Sequence, residues 1–262
     1  MSAIKDRVHV NMPFRMTELF HLFISNRLNP EIGLDATSLD TYSVSDFAKV
    51  AARFEQLERS VTIHGPFIDL AAGSPDRELL KATRKRLGQM LELVPVFKPK
   101  CVVCHAGYEE IHHGWIRAGW LEKSIETWSW LGQAVREAGS RLVLENVYEW
   151  KPEDLTELFV ALEPYGVGFC LDTGHVAAFS RTPLERWLAV LGPYVAHLHL
   201  HDNDGSSDAH LPLGRGGIDY RPLWDYLAGR EEWPTITLEP HAEADLKPSL
   251  DYLARLEIFG RS

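Results

Sequence analysis

Cysteine is scarce in this 262-residue chain, and an odd count of three cannot build a disulfide framework. Cys101 and Cys104 do form a CxxC, but "CVVC" lies inside an apolar strand where residues three apart face opposite ways. All three therefore read as buried thiols. Positive charge is also short: 27 basic against 37 acidic residues leave a formal charge of −10, which repels a phosphate backbone instead of collecting it. Nucleic acid is not an expected partner. No apolar run approaches the length of a membrane span, and "MSAIKDRVHVNM" lacks an apolar signal core, so the expectation is a cytoplasmic protein with no membrane contact. Nothing has the composition of a linker, and residues 1–262 read as a single domain able to bury a sizeable core.

What is present is a repeating pattern. Eight short apolar runs recur with helical segments between them: "RVHVNM", "EIGLDA", "SVTIHG", "CVVCHAG", "RLVLENV", "VGFCLDTG", "VAHLHLHD" and "TITLEP". Ser74 to Val94 shows the intervening type, with Ser74 as cap, Pro75 in the first turn, and Leu80, Leu87, Leu91 and Val94 on one face. Its basic run "KATRKR" reads as a solvated face. Such alternation predicts an all-parallel sheet closed as a (β/α)₈ TIM barrel, with its active site at the carboxyl ends of the strands. An open doubly wound sheet would bring a glycine-rich turn after the first strand, which "NMPFRM" lacks.

The polar residues fall where that fold would use them. The third to eighth runs finish with His64, His105, Glu145, Asp172, His199 and Glu239, and period-two alternation turns all six toward the lumen if Ile63, Leu144, Leu171, Leu200 and Leu238 face the helices. Any one histidine there would ordinarily be a hydrogen-bonded core residue. Three acids in one lumen, however, repel one another by several kcal/mol at low effective dielectric, and a divalent cation resolves this. Imidazole and carboxylate without thiolate suit zinc, manganese or iron. From the seventh run onward, "HLHLHDNDGSSDAHLPLGRG" packs four histidines and three aspartates into a stretch that reads either as a solvated loop or as one wall of a metal site.

At "LENV", "CLDTGHV", "HLHLHD" and "DAHLPLGRG" the chain resembles the xylose isomerase-like TIM-barrel superfamily, which includes endonuclease IV (AP endonuclease family 2) and the sugar-phosphate isomerases and epimerases. The resemblance implies one metal on Glu145, Asp172, His199 and Glu239, and a second on His64, His105 and a shared Glu145. A third would lie on His175, Asp208 and His210, giving one to three cations, zinc or manganese, per chain. His197 points the same way as His199 but lies deeper, and His201 sits where the endonuclease pattern places a non-ligand, so both read as core groups or groups behind the ligands; Asp202 and Asp204 shape the turn or orient an imidazole. Where many relatives carry an acid, "LGRG" has Arg215, expected to grip a substrate phosphate or carboxylate. His113 and Trp115, with His112 and Trp120, are candidate substrate-binding groups in a lid, an ordinary loop being the alternative.

Three enzymatic readings follow. The first is metal-assisted hydrolysis of a phosphoester in a small phosphorylated substrate, using all nine ligands. The alternative is isomerisation or epimerisation of a sugar or sugar phosphate, with one metal and Glu145 and Glu239 trading a proton at carbon. Cleavage of abasic DNA ranks below both because of the acidic balance. A metal-stabilised binding barrel is the non-enzymatic reading, disfavoured because ligands spread over six strand ends build an open site. Oligomeric state is not legible.

Overall fold

Strand and helix alternate along the chain, and in the computed structural model, which describes residues 2–256, all eight apolar runs become strands. They are β1 (Val8–Pro13), β2 (Asn29–Gly33), β3 (Thr62–His64), β4 (Val102–His105), β5 (Leu142–Glu145), β6 (Gly168–Asp172), β7 (Val195–Leu200) and β8 (Thr235–Leu238). Each pairs in parallel with its neighbours, and β1 closes onto β8 through Val8↔Ile236 and Val10↔Leu238. The result is a (β/α)₈ TIM barrel. Among the described residues, no helix is long and apolar enough to cross a membrane.

Alternation along the strands divides the interior into two layers. Ile32, Ile63, Leu144, Leu171, Leu198 and Leu238 face outward into the large core shared with the helices, and each contributes roughly 1.5–3 kcal/mol of burial. Cys101, Val103, Val143 and Cys170 face inward and form a small apolar plug. Cys101, just before β4, and Cys104 within it thus lie on opposite faces of the barrel wall, and all three cysteines are free and buried. A lumen floored this way is a packed core, above which the strand-end histidines and carboxylates gather at the carboxyl end.

Two boundaries differ from the sequence pattern for local reasons. The second strand begins at Asn29 and stops at Gly33, because Asp35 leaves the sheet to cap the helix Ala36–Thr41, accepting from Ser38 N at 2.7 Å. The helix expected from Ser74 starts at Arg77, where Asp76 is the cap and accepts from Glu78 N at 2.8 Å. Ser74 instead accepts from Asp76 N, shaping the approach. That helix ends at Leu91, and Val94 opens the next one. Its basic face is solvated and ion-paired, Arg86 Nη2 donating to Asp40 Oδ2 at 2.8 Å.

Candidate active site

Glu145, the last residue of β5, is the hub of the carboxyl end. It is 1% exposed, and four imidazoles converge on it. His64 Nε2 lies 3.2 Å and His105 Nε2 3.4 Å from Oε2, while His199 Nδ1 lies 3.0 Å and His175 Nδ1 3.4 Å from Oε1. Burial opposes ionisation of Glu145, but His199, His105 and His175 outweigh it and hold the carboxyl well below the ordinary range. Glu239, just past β8, is 3.3 Å from the same His199 Nδ1. There burial, helped by Asp172 and Glu145, prevails over His199 and His201 and raises the carboxyl. The two acids therefore have opposite proton preferences.

The histidines are aimed by their unused nitrogens. A carbonyl can only accept, so His64 Nδ1–H donates to Gly65 O, His175 Nδ1–H to Asn146 O and His210 Nδ1–H to Glu239 O, each at 2.9 Å. Each ring, once its second proton has left, turns an Nε2 lone pair toward the centre, the arrangement by which proteins orient metal-binding imidazoles. His199 is mounted the other way round: its Nε2 faces Glu31 Oε1 at 3.0 Å, which frees Nδ1 for the centre. Glu31 is fully buried and accepts from Thr62 Oγ1 at 2.8 Å and Thr237 Oγ1 at 2.9 Å, with His197 Nε2 3.2 Å away. Asn146 ties β5 to β6, donating to Asp172 O and accepting from Asp172 N.

A second cluster adjoins the first. Asp208 Oδ2 lies 3.1 Å from His210 Nε2 and 3.3 Å from His175 Nε2. His201 is held by Asp172 Oδ2, 3.2 Å from its Nε2, and Gly174 makes room for it: a Cβ there would sit 1.9 Å from His201 Cε1. His201 Nδ1 and Asp208 Oδ1 face each other at 3.6 Å, both buried and neither hydrogen-bonded. Two orphaned ligand atoms beside His175 and His210 are what a shared cation would satisfy. His210 adopts φ +48°, a conformation costing about 1–3 kcal/mol for a non-glycine residue and typical of functional sites. Asp202 shapes the loop by accepting from Asn203 N and Gly214 N, and Asp204 accepts from Ser206 N.

Seven of the nine expected ligands line one cavity of about 390 Å³: His64, His105, Glu145, His175, Asp208, His210 and Glu239. Asp172 and His199, both 0% exposed, support it from below. Phe14, Phe67, Tyr148 and Phe179 supply an aromatic wall, and Arg15, fixed by Asp35 at 2.9 Å, is the lining's one guanidinium. The volume suits a small molecule.

The three expected substrate contacts fare differently. Arg215 is exposed and lines a separate cleft with Asp251, Tyr252 and Arg255; it is not part of the cavity wall, because the loop turns at Gly214 (φ +78°) and directs it toward the helix Glu243–Ala254. Trp115 is 81% exposed and lines neither cavity nor cleft. His113 accepts from Glu109 N at 2.9 Å and lines a neighbouring cleft that shares Phe67, His105 and Tyr148 with the cavity. Trp120 is buried and donates to Gly107 O. Sequence reasoning missed Glu31, Asn146, Arg15 and His241, whose ring stacks on His210 at 3.9 Å. Glu31 did carry a signal: an acid two residues before Gly33 has the inward parity of a strand interior.

A closed parallel barrel with an imidazole–carboxylate cluster at its carboxyl end defines a class of metal-competent (β/α)₈ proteins. Residues 25–256 match the family model described as xylose isomerase-like TIM barrel, and the chain belongs to that family. Among solved structures, it is 30% identical to the TTHB071 protein of Thermus thermophilus, solved after soaking with ZnCl2, covering 98% of this chain and 99% of that one with a TM-score of 0.82. A D-tagatose 3-epimerase-like protein shares the fold at 21% identity, covering 97% of this chain and 98% of that one, with a TM-score of 0.81. The uncharacterized protein MJ1311 of Methanocaldococcus jannaschii is 27% identical over 182 residues, 66% of this chain. The match spans 61% of that relative's length.

Proposed function

We propose that this chain is a divalent-metal-dependent enzyme that isomerises or epimerises a small sugar or sugar phosphate. The observation that carries the reading is the pair of cavity-lining carboxylates, Glu145 and Glu239, which converge on His199 Nδ1 with opposite proton preferences. Divergent proton affinity in neighbouring acids is how one site assigns a base and an acid. Glu145 would take the proton from a carbon next to a carbonyl, and Glu239 would return one to the opposite face. Glu145, Asp172, His199 and Glu239 would hold the cation, zinc or manganese, which when bound polarises the substrate's adjacent oxygens. Fold neighbours named as sugar epimerases favour this reading over phosphoester hydrolysis. We place it in the cytoplasm, in keeping with three free thiols, acting as one domain.

The test is solvent exchange. A panel of ketoses and ketose phosphates, free and alkyl-substituted, incubated in D2O with metal-loaded protein, should yield a substrate that gains deuterium at carbon, and Glu145→Gln and Glu239→Gln should each abolish the gain. Absence of exchange across the panel would refute it.

One observation favours phosphoester hydrolysis as a second reading: His64 and His105 with Glu145, and His175, His201, Asp208 and His210, form clusters beyond the four residues that epimerisation needs. The double variant Asp208→Ala, His210→Ala separates the two. A hydrolase would lose roughly a hundredfold or more in phosphate release. An epimerase would keep its deuterium exchange.

A further inference from the structure

The cavity has a neighbour that shares part of its wall. Asn11, Met16 and His241 belong to its wall and also to that of a second chamber of about 440 Å³, set between helix Phe20–Asn26 and helix Glu243–Ala254. This chamber's character is different. Leu19, Leu22, Phe23, Leu246 and Leu250 line it together with Lys5, Glu243 and Lys247, and the metal-ligand cluster around Glu145 does not extend into its lining.

An apolar space that shares a wall with a reaction site would hold water close to it unless something fills the space. Sites that move protons to and from carbon work by excluding water. A free monosaccharide would occupy the polar cavity and leave the chamber wet. Met16, unbranched and adaptable, stands at the junction, a residue type suited to packing against varied hydrocarbon.

We infer that the chamber receives an apolar substituent of the substrate, so that the substrate is a conjugate: a polar sugar or phosphate head reacting over Glu145 and Glu239, joined to an alkyl or aryl group lying between Leu22 and Leu246. The inference rests on the proposed reading of the central cavity as the reaction site. Its failure is distinguishable, because the alkyl phosphate series reads chamber filling without turnover, whereas solvent exchange reads the reaction.

The experiment titrates zinc-loaded protein calorimetrically with inorganic, methyl, butyl and hexyl phosphate, whose heads suit Arg15 and a cation centre alike. Affinity should rise roughly fourfold per methylene until the chamber is filled. Leu22→Asp and Leu246→Asp, on separate helices, should each flatten the series while leaving inorganic phosphate binding unchanged. In methyl-labelled protein, hexyl phosphate but not inorganic phosphate should shift the NMR signals of Met16, Leu22 and Leu246. Hexyl phosphate binding no tighter than methyl phosphate, a chain-length gain that survives in both variants, or methyl signals that respond to the two phosphates alike would each overturn the inference.

Discussion

Glu31→Gln should disable the centre from a position that never touches the cavity. The carboxylate sits between His199 Nε2 at 3.0 Å and His197 Nε2 at 3.2 Å, and Thr62 and Thr237 both donate to Oε2. Glutamine preserves the volume but has one acceptor oxygen. If that oxygen keeps the two threonine hydroxyls, the amide nitrogen faces His199 Nε2, and two donors cannot share that contact. His199 must then move its proton to Nδ1, the atom that faces Glu145 and Glu239. Its lone pair is lost to the centre. Removal of an orienting group behind a metal-bound histidine typically costs 10–100-fold in metal affinity, or about 1.4–2.7 kcal/mol. Competition against a chromophoric chelator at pH 7.5 measures the loss, circular dichroism verifies the fold, and 15N shifts of His199 report the tautomer. A folded variant that binds zinc within twofold of wild type, or whose His199 keeps its proton on Nε2, would refute the reasoning.

Two further outcomes are expected. Gly174→Ala should displace His201, because the added Cβ falls 1.9 Å from its ring; overpacking of this kind costs about 1–3 kcal/mol, read as a lower urea midpoint, and an unchanged midpoint would contradict the contact. Metal affinity should strengthen as pH rises from 6 to 9. Despite burial, Asp208 and Glu239 raise His210 to about 9, and Asp172, Asp208 and Glu145 also raise His175, so His210 is protonated over most of that range and must release a proton on binding a cation. Without a cation the sign for folding is the reverse: a raised histidine stabilises the fold fully below its unfolded value near 6.5, and the contribution fades as pH climbs through 9. Flat zinc affinity across that range would contradict the ionisation scheme.

The barrel was legible because apolar runs alternate with helical segments, and the site because the third to eighth strands each carry, at or beside the carboxyl end, a residue that its apolar neighbours force inward; His64, His105 and Glu145 needed only the alternation. Glu31 escaped because its run was read as beginning there. The two preceding residues, Asn29 and Pro30, carry no apolar signal, yet they pair with His9 and Val10 and place Glu31 in the strand interior. Arg215 escaped for the opposite reason. Loop sequence states proximity to His210 along the chain but not which way the backbone turns, and here Asp202 holds Gly214 N so that the following residue leaves the cavity. The cap at Asp76 instead of Ser74 reflects local competition between two good capping side chains two residues apart.

Metal content per chain tests the central claim most directly. Protein purified without chelator, incubated with zinc and manganese and then desalted, should retain at least one transition metal per chain by elemental analysis, and Glu145→Gln, which removes the charge shared by four imidazoles, should retain markedly less. A wild-type chain that holds no metal after that treatment, or a Glu145→Gln chain that holds as much as wild type, would contradict the account.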